Sequence, residues 1–253
     1  MRPRKSLGQH FLHDPGIIRR IVRAIDPRPG EALVEIGPGL GALTFPLLEA
    51  AGSLDAVELD QRVLAELARR GKCLGELRLH HVDALTMDLA NLRQGEARLR
   101  LVGNLPYNIS TPLLFHLLGQ AELIQDMHFM LQKEVVVRMA APPGNGDYGR
   151  LSVMLQYYCE VERLFSIGPG AFSPPPKVDS AVVRLIPKTP LPARDPGLER
   201  VVRQAFSQRR KTLRNSLAGL LDREAIQAAG VNPEQRPEAL DLAAFIALGR
   251  SVS

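Results

Sequence analysis

Short apolar runs alternate with amphipathic stretches along the chain from Ala32 onwards. Apolar runs of this length are typical of buried strands, whereas apolar positions repeating every three to four residues are typical of helices. The predicted strands span residues 32–37, 54–59, 77–82, 99–104, 126–131, 162–167 and 181–186. The predicted helices between them span residues 42–51, 62–70, 111–118 and 134–141. This alternation predicts an α/β fold built around a mostly parallel sheet.

A proline-rich segment interrupts the pattern near its last predicted strand. Residues 186–196 carry four prolines, which lack a backbone donor and break regular structure. Beyond this segment, short helices are predicted over residues 198–206, 213–221 and 239–248. We therefore predict a larger domain over residues 1–187 and a small C-terminal helical domain over residues 188–253.

Composition narrows the class of protein. The chain has 253 residues, 45% of them hydrophobic, which is enough for a large core. No apolar run approaches the roughly 20 residues of a membrane-spanning helix, and the N-terminus shows no signal-type hydrophobic segment, so we expect a cytoplasmic protein with no membrane partner. Cys73 and Cys159 lie far apart without a histidine cluster, so we expect buried structural thiols and no metal.

Basic residues outnumber acidic ones by 32 to 27, and the net charge is +5 at pH 7. The excess lies mainly in residues 188–253, which hold 11 basic and 7 acidic side chains. A basic excess favours a polyanionic partner. An acid-free stretch over residues 203–217 holds the candidates for contact with RNA phosphates, although a solvated helix surface is the simpler interpretation of a charge run. These candidates are Arg203, Arg209, Arg210, Lys211 and Arg214.

A glycine-rich loop follows the first predicted strand, in residues 34–41 (VEIGPGLG). Gly37 and Gly39 permit a tight turn and a close approach of the backbone to a ligand. The spacing is not that of the GxGxxG dinucleotide motif, because the third glycine comes one residue early. Taken alone, the loop fits either a nucleotide-type ligand or a structural turn.

Acidic side chains follow the first strands. Glu58 comes at the end of the second strand, where a carboxylate can accept hydrogen bonds from ribose hydroxyls, and Asp83 follows the third strand, where an adenine amine can donate to it. An acid at a strand end also serves as a helix cap. Together with Glu35 and Gly37, these residues converge on one rim of the predicted sheet. In this order the sequence resembles the class I methyltransferases, which are Rossmann-like enzymes that use S-adenosylmethionine.

Residues 103–107 (GNLPY) follow the fourth strand at the same rim. An adenine amine is a poor nucleophile because its lone pair is delocalised into the ring, so catalysis rests on proximity and orientation. Asn104 and a proline-fixed carbonyl can accept the two amine hydrogens, and Tyr107 can stack on a flipped base. Phe172, beside a run of prolines, is the candidate for the other face of the base. A strand-ending turn and a core phenylalanine are the alternatives.

The ordered motifs resemble those of the small-subunit ribosomal RNA adenine dimethyltransferases, the KsgA family, along nearly the whole chain. The matching segments are residues 7–14, 35–44, 57–60, 104–112, 132–135, 148–153 and 172–183. The resemblance implies transfer of two methyl groups to each of two adjacent adenosines, in a hairpin loop near the 3′ end of small-subunit RNA within an immature 30S particle. It also implies that three N-terminal residues fold over the cofactor, namely Gln9, His10 and Leu12.

The same resemblance places Asn104, Tyr107 and Phe172 around the target adenine, with Asn104 also beside the cofactor. Three other functions stay open. A large-subunit adenine methyltransferase of the macrolide-resistance type shares much of the pattern, although the leucine in NLPY favours the small-subunit type. A mainly non-catalytic ribosome assembly factor would keep the fold without turnover, and the glycine loop alone would suit a nicotinamide dehydrogenase. We expect a monomer.

Overall fold

The computed structural model describes residues 10–106, 108–208 and 210–252. Its strands are β1 Phe11–Leu12, β2 Leu33–Ile36, β3 Ser53–Glu58, β4 Glu76–His81, β5 Leu99–Asn104, β6 Ile124–Gln132, β7 Cys159–Ile167, β8 Phe172–Ser173 and β9 Ser180–Pro187. Its helices are α1 Pro15–Ile25, α2 Thr44–Ala51, α3 Gln61–Gly71, α4 Ser110–Leu118, α5 Lys133–Ala140, α6 Arg150–Tyr158, α7 Pro196–Ala205, α8 Leu213–Ser216, α9 Arg223–Ala228 and α10 Leu242–Arg250.

Seven strands form one sheet in the order β4-β3-β2-β5-β6-β9-β7. The strands from β4 to β6 pair in parallel, and β9 pairs antiparallel with β6. Strand β2 and nearly all of β5 are buried, which explains why both are largely apolar, with Glu35 and Arg100 as buried charged exceptions. Gly103 in β5 has no room for a side chain, because a Cβ there would overlap the carbonyl oxygen of Ile36 in β2. The predicted α/β fold with a mostly parallel sheet is confirmed.

The contacts within the chain define two compact units. The first comprises Met1–Val136 and Glu162–Pro187, and the second comprises Val137–Val161 and Lys188–Ser253. One division between the units falls after Pro187, where the sequence predicts a domain boundary. The segment Val137–Val161 is grouped with the second unit, whereas the sequence analysis assigns it to the larger domain. The predicted domain bounds stay a prediction.

The second unit has its own helical core. Helices α7 and α10 approach closely where Gly197 meets Gly249, since a Cβ on Gly197 would overlap the carbonyl oxygen of Gly249. Phe245 of α10 is fully buried, and its ring centre lies 5.6 Å from that of Phe206. Small residues thus bring the two backbones together, and an aromatic pair fills the space beside them.

Several helices differ from the predicted ones. Helices α1, α6 and α9 have no counterpart in the predictions. The predicted helix over residues 213–221 is wrong beyond Ser216, and Gly219 has a φ of 81°, which is outside the helical region. The predicted helix over residues 239–248 begins later, because the carboxylate of Asp241 accepts a hydrogen bond from the N–H of Ala244 at 2.8 Å and caps α10.

The two cysteines differ in exposure. Cys159 is buried as expected, but Cys73 is exposed, so the expectation of two buried thiols is wrong for Cys73. Within the described part of the chain, no helix combines the length and the apolar character required to cross a bilayer. Among the same residues, no three His, Cys, Asp or Glu side chains come together in a way that would hold a metal ion.

Candidate active site

The carboxyl ends of β2, β3, β4 and β5 meet at one edge of the sheet, around a cleft of about 200 Å³. The glycine loop follows β2, and the next three strands end at or just before an acidic or amide side chain. Ligands of open α/β sheets bind at this edge because parallel strands all end there. Eight residues that the sequence assigns to the site line the cleft: His10, Leu12, Glu35, Gly37, Gly39, Glu58, Asp83 and Asn104.

The glycine loop follows a backbone path that disfavours other residues. Gly37, Gly39 and Gly41 have φ values of 69°, 53° and 86°. A Cβ on Gly39 would also lie 3.3 Å from the ring of Phe11, which belongs to β1. The loop therefore needs glycine both for its turn and for the close approach of the N-terminal strand.

Arg70 in α3 supports the glycine loop from outside. Its guanidinium donates a hydrogen bond to the carbonyl oxygen of Leu40 at 2.8 Å and lies 4.3 Å from the centre of the Phe45 ring. Phe45 packs so closely on Gly41 that an added Cβ would overlap its ring. This role of Arg70 was not predicted, because an arginine on an amphipathic helix gives no local signal of such a contact.

Glu58 and Asp83 are each held by backbone groups that follow them. Glu58 Oε1 accepts hydrogen bonds from the N–H groups of Leu59 and Asp60, both at 2.9 Å. Asp83 Oδ1 accepts one from the N–H of Leu85 at 2.9 Å. Burial raises the pKa of Glu58, and the N–H groups at its carboxylate oppose that rise. Both carboxyl groups are therefore fixed in place at the cleft.

Glu35 is the most deeply buried acid of the cleft, with 1% of its surface exposed. Its Oε2 atom has no hydrogen-bond partner among the described residues. Burial raises the pKa of Glu35 to about 7; the side chain of Thr44 opposes the rise and the negative charge of Glu58 adds to it. A buried carboxyl group with an unsatisfied oxygen is costly for the fold, and such groups cluster where ligands bind.

The N-terminal segment closes one side of the cleft. Strand β1 pairs antiparallel with β8, so that Leu12 lies opposite Phe172. The His10 Nδ1 atom lies 2.8 Å from the carbonyl oxygen of Pro174, which can only accept, so this ring nitrogen donates. Asn104 Nδ2 donates to the carbonyl oxygen of His10 at 3.1 Å. Asn104 thus contacts the segment that covers the cleft, which the sequence alone did not predict.

Phe172 does not line the cleft. It is 2% exposed and lies in the hydrophobic core of the first unit, among residues that include Leu12, Ile21 and Met130. Its backbone contributes to the cleft indirectly, through the pairing of β8 with β1. The predicted contact of its ring with the target base stays a prediction. Two other predicted site residues, Gln9 and Tyr107, lie outside the described residues.

The predicted RNA-binding side chains belong to the second unit. Arg203, Arg210, Lys211 and Arg214 are all exposed, and Arg209 lies outside the described residues. Arg214 forms an ion pair with Glu234 at 3.2 Å, and both side chains are 48% exposed. Arg210 has a φ of 70°, an uncommon backbone conformation for a residue with a side chain. Within this basic stretch, Arg214 is therefore exposed and also held in an ion pair.

The apolar lining of the cleft contains residues that the sequence analysis missed. Leu59 directly follows Glu58, lines the cleft and is 54% exposed. Ala84 and Leu85 line it beyond Asp83. In the sequence, an apolar residue directly follows each of the two acids: Leu59 follows Glu58, and Ala84 follows Asp83. This pattern could have indicated an apolar lining, but it fits the start of the next helix or loop equally well.

A profile described as ribosomal RNA adenine dimethylase matches residues 1–249 of the chain. The chain belongs to the ribosomal RNA adenine dimethylase family. It is 62% identical over 250 residues to ribosomal RNA small subunit methyltransferase A of Pseudomonas putida, covering 98% of this chain and 94% of the relative. It is 60% identical over 252 residues to the protein of the same name from Nitrosococcus oceani, covering 98% and 96%.

Solved structures agree with membership of the ribosomal RNA adenine dimethylase family. A dimethyladenosine transferase from Plasmodium falciparum superposes with a TM-score of 0.79 at 28% identity, covering 94% of this chain and 96% of that one. The 23S rRNA methyltransferase ErmE superposes with a TM-score of 0.72 at 26% identity, covering 96% and 99%. The chain is therefore a methyltransferase of this enzyme family with its Rossmann-like fold, and a nicotinamide dehydrogenase is excluded.

Proposed function

We propose that the protein transfers methyl groups from S-adenosylmethionine to the exocyclic amines of two adjacent adenosines, in a hairpin loop near the 3′ end of small-subunit ribosomal RNA. The observation that carries this proposal is the placement of Asn104 and Pro106 on the same cleft as the glycine loop and Glu58. A site for a nucleotide-type donor and a site for an adenine amine thus adjoin each other.

The residues of the cleft fit S-adenosylmethionine. Glu58 offers a fixed carboxylate for the ribose hydroxyls, and Asp83 offers one for the adenine amine. Leu59 and Leu85 provide apolar contacts for the adenine ring. The unsatisfied oxygen of Glu35 is an acceptor for the ammonium group of the methionine part.

The glycine loop completes this fit, since it leaves room for backbone contacts with the methionine part. His10 and Leu12 cover the cleft from the N-terminal side, where β8 and Asn104 hold them. We propose that Gln9, which is adjacent in sequence, takes part in the same cover.

Catalysis by this site rests on orientation of the amine. S-adenosylmethionine supplies an electrophilic methyl group on a sulfonium. Asn104 Oδ1 and a backbone carbonyl of the NLPY turn accept the two amine hydrogens, which turns the nitrogen lone pair towards the donor. Tyr107 stacks on the base, a contact worth about 1–3 kcal/mol, and Phe172 is proposed for the other face. The methylated amine is cationic and acidic, so water removes its proton and no strong base is required.

The curated relatives favour the small subunit as the substrate. Relatives that share 58–62% of their residues with the chain are named as small-subunit methyltransferases, whereas the large-subunit enzyme ErmE shares 26%. The large-subunit alternative is therefore not favoured. We infer that the substrate is the immature 30S particle and that a monomer acts on it in the cytoplasm, where ribosomes are assembled. Exposed Arg203, Arg210, Lys211 and Arg214 are proposed to contact its phosphates, and the sequence adds Arg209 to this proposal.

A methylation assay tests the proposal. Purified protein is incubated with labelled S-adenosylmethionine and, separately, with unmethylated small subunits, large subunits or naked ribosomal RNA. Modified nucleotides are then mapped by mass spectrometry, with Asn104→Ala as the inactive control. Pairs of dimethyladenosine in small-subunit RNA alone are expected. Methylation of a large-subunit adenine would contradict the proposed substrate, and cofactor binding without transfer to any RNA would favour the non-catalytic assembly factor.

A further inference from the structure

Helix α1 presents three arginines to solvent on one side of the first unit. Arg19, Arg20 and Arg23 are exposed, whereas Ile21 and Ile25 of the same helix are buried. Positions three and four residues apart lie on the same side of a helix, so these arginines form one continuous surface. The helix contains no acidic residue. We call Arg19, Arg20 and Arg23 the α1 basic face.

The described carboxylates offset little of the positive charge of the α1 basic face: Asp14, the cap of the helix, interacts electrostatically with Arg19 but forms no ion pair with it. Elsewhere in the first unit, arginines form ion pairs with carboxylates, as Arg62 does with Asp60 and Arg78 does with Asp55. Within residues 10–106, 108–208 and 210–252, no ion pair is recorded for any of the three α1 arginines. Three neighbouring and unpaired guanidinium groups repel one another and attract an anionic partner.

The α1 basic face is held rigidly. The carboxylate of Asp14 accepts hydrogen bonds from the N–H groups of Gly16 and Ile17 and caps the start of the helix. At the other end, the buried Arg100 donates to the carbonyl oxygen of Ile25 at 2.6 Å. The Arg20 guanidinium lies 3.9 Å from the centre of the Phe165 ring, which holds it flat against the surface. A planar guanidinium fixed in this way keeps its donor edges available for phosphate.

The helix starts beside the cleft. Leu12, three residues before α1, lines the cleft, and Ile18 in the second turn lines a shallow groove that shares Phe11, Leu12 and Leu40 with it. A helix rises about 1.5 Å per residue, so Arg19 lies about 6 Å along the helix axis from Pro15, the first residue of α1.

We propose that the α1 basic face binds phosphates of the RNA that flanks the target adenines. This inference rests on the proposed function and adds to it a second RNA contact, on the unit that carries the cleft. The contact is independent of base sequence, because arginines that meet only phosphates position an RNA without reading it. It therefore contributes to affinity and to the presentation of the hairpin loop, and it leaves the cofactor site unchanged.

Charge neutralisation tests the proposal. The variant R19Q/R20Q/R23Q keeps helix propensity nearly constant, and R19Q/R23Q leaves the Arg20 contact with Phe165 intact. The matched control for the double variant, K72Q/R98Q, removes two exposed positive charges that precede strands β4 and β5, at the edge of the sheet opposite the cleft. Binding to unmethylated small subunits is measured over a series of KCl concentrations, together with KM for the subunit and for S-adenosylmethionine.

The expected result is a smaller salt dependence. Each phosphate contact contributes about 0.7–0.9 to the slope of log K against log salt, so the triple variant should lower the slope by about 2–3 and the double variant by about 1.5. KM for the subunit should rise while KM for S-adenosylmethionine stays the same. An unchanged slope in the triple variant, or an equal loss in the control, overturns the proposal. If wild type binds subunits through these arginines but transfers no methyl group, the α1 contact stands and the proposed function fails.

Discussion

Glu35→Gln is expected to stabilise the ligand-free protein at neutral and alkaline pH and to weaken cofactor binding. The substitution keeps the shape of the side chain and removes its charge. In the folded protein, burial raises the pKa of Glu35 from 4.5 to about 7. Between these values the folded state holds a proton that the unfolded state has lost, so wild-type stability falls as pH rises through this window. The glutamine side chain does not titrate, so it adds no such pH dependence to the stability of the variant.

The magnitude follows from the two pKa values. Their difference of about 2.5 corresponds to about 3–4 kcal/mol, at about 1.4 kcal/mol per pKa unit, and about 3 kcal/mol of this falls between pH 4.5 and pH 8. The relative stability of Glu35→Gln should therefore increase by about 3 kcal/mol between pH 4.5 and pH 8. For a chain of this size, 1 kcal/mol shifts Tm by about 2–4 °C, so the gain in Tm over wild type should grow by about 6–12 °C across that range. Burying the glutamine amide also costs free energy, but this cost is the same at every pH. It therefore cancels when the stability difference between variant and wild type at pH 8 is compared with that at pH 4.5.

The assay compares thermal unfolding of wild type and Glu35→Gln at several pH values without cofactor. Glu49→Gln, on an exposed position of the neighbouring α2, is the control for removing a glutamate carboxyl group. Titration with S-adenosylmethionine follows, below pH 7 so that its ammonium group stays charged. Wild-type affinity should fall about tenfold per pH unit below pH 7, because only the ionised form is competent, while the variant should bind weakly at every pH. A constant difference in Tm from pH 5 to pH 8 would refute the reasoning.

Four further changes test other parts of the structure. Asn104→Ala should lower the rate of methyl transfer by about 10²-fold, because the amine of the base is no longer oriented. It should weaken cofactor binding only about fivefold, which is the value of the one hydrogen bond to His10 that is lost. Equal losses in kcat and in cofactor affinity would argue against a role of Asn104 at the base. Arg210→Asn suits the positive φ and should reduce the salt slope of RNA binding by about 0.7–0.9 with no loss of Tm. Gly103→Ala should lower the free energy of unfolding by about 1–3 kcal/mol or more in denaturant titration, because β5 and β2 must separate. Iodoacetamide should label the exposed Cys73 and spare Cys159, whose pKa burial raises to about 12, as peptide mass spectrometry will show.

The sequence predicts those parts of the site that depend only on the order of strands and on the residues at their ends. Strand β5 was predicted with the bounds it has in the structure, because a buried strand of a parallel sheet is mostly apolar and the end of this one is marked by a polar turn. Once the strands are known to be parallel, Glu58, Asp83 and Asn104 must share one edge. No long-range contact is required for that inference.

The parts that could not be predicted depend on contacts between distant segments. The buried position of Phe172 follows from the pairing of β8 with β1, which no periodicity reveals. The support of the glycine loop by Arg70 crosses thirty residues and two elements. Helix α1 is a different case, since its sequence carries local signals: Asp14 provides a cap, and its apolar residues recur at helical spacing.

The pairing of β1 with β8 has a consequence for the order in which the proposed cofactor cleft is completed during synthesis. The ribosome releases the chain from its N-terminus, so the glycine loop, Glu58 and Asp83 all emerge well before Phe172. Until residues 172–173 are outside the exit tunnel, Leu12 has no strand to pair with, across a separation of 160 residues. A nascent chain stalled after β6 would carry most of the cleft but lack the wall formed by the N-terminal segment. We therefore expect the cleft proposed for S-adenosylmethionine to gain its N-terminal wall only when translation of the first unit is nearly complete.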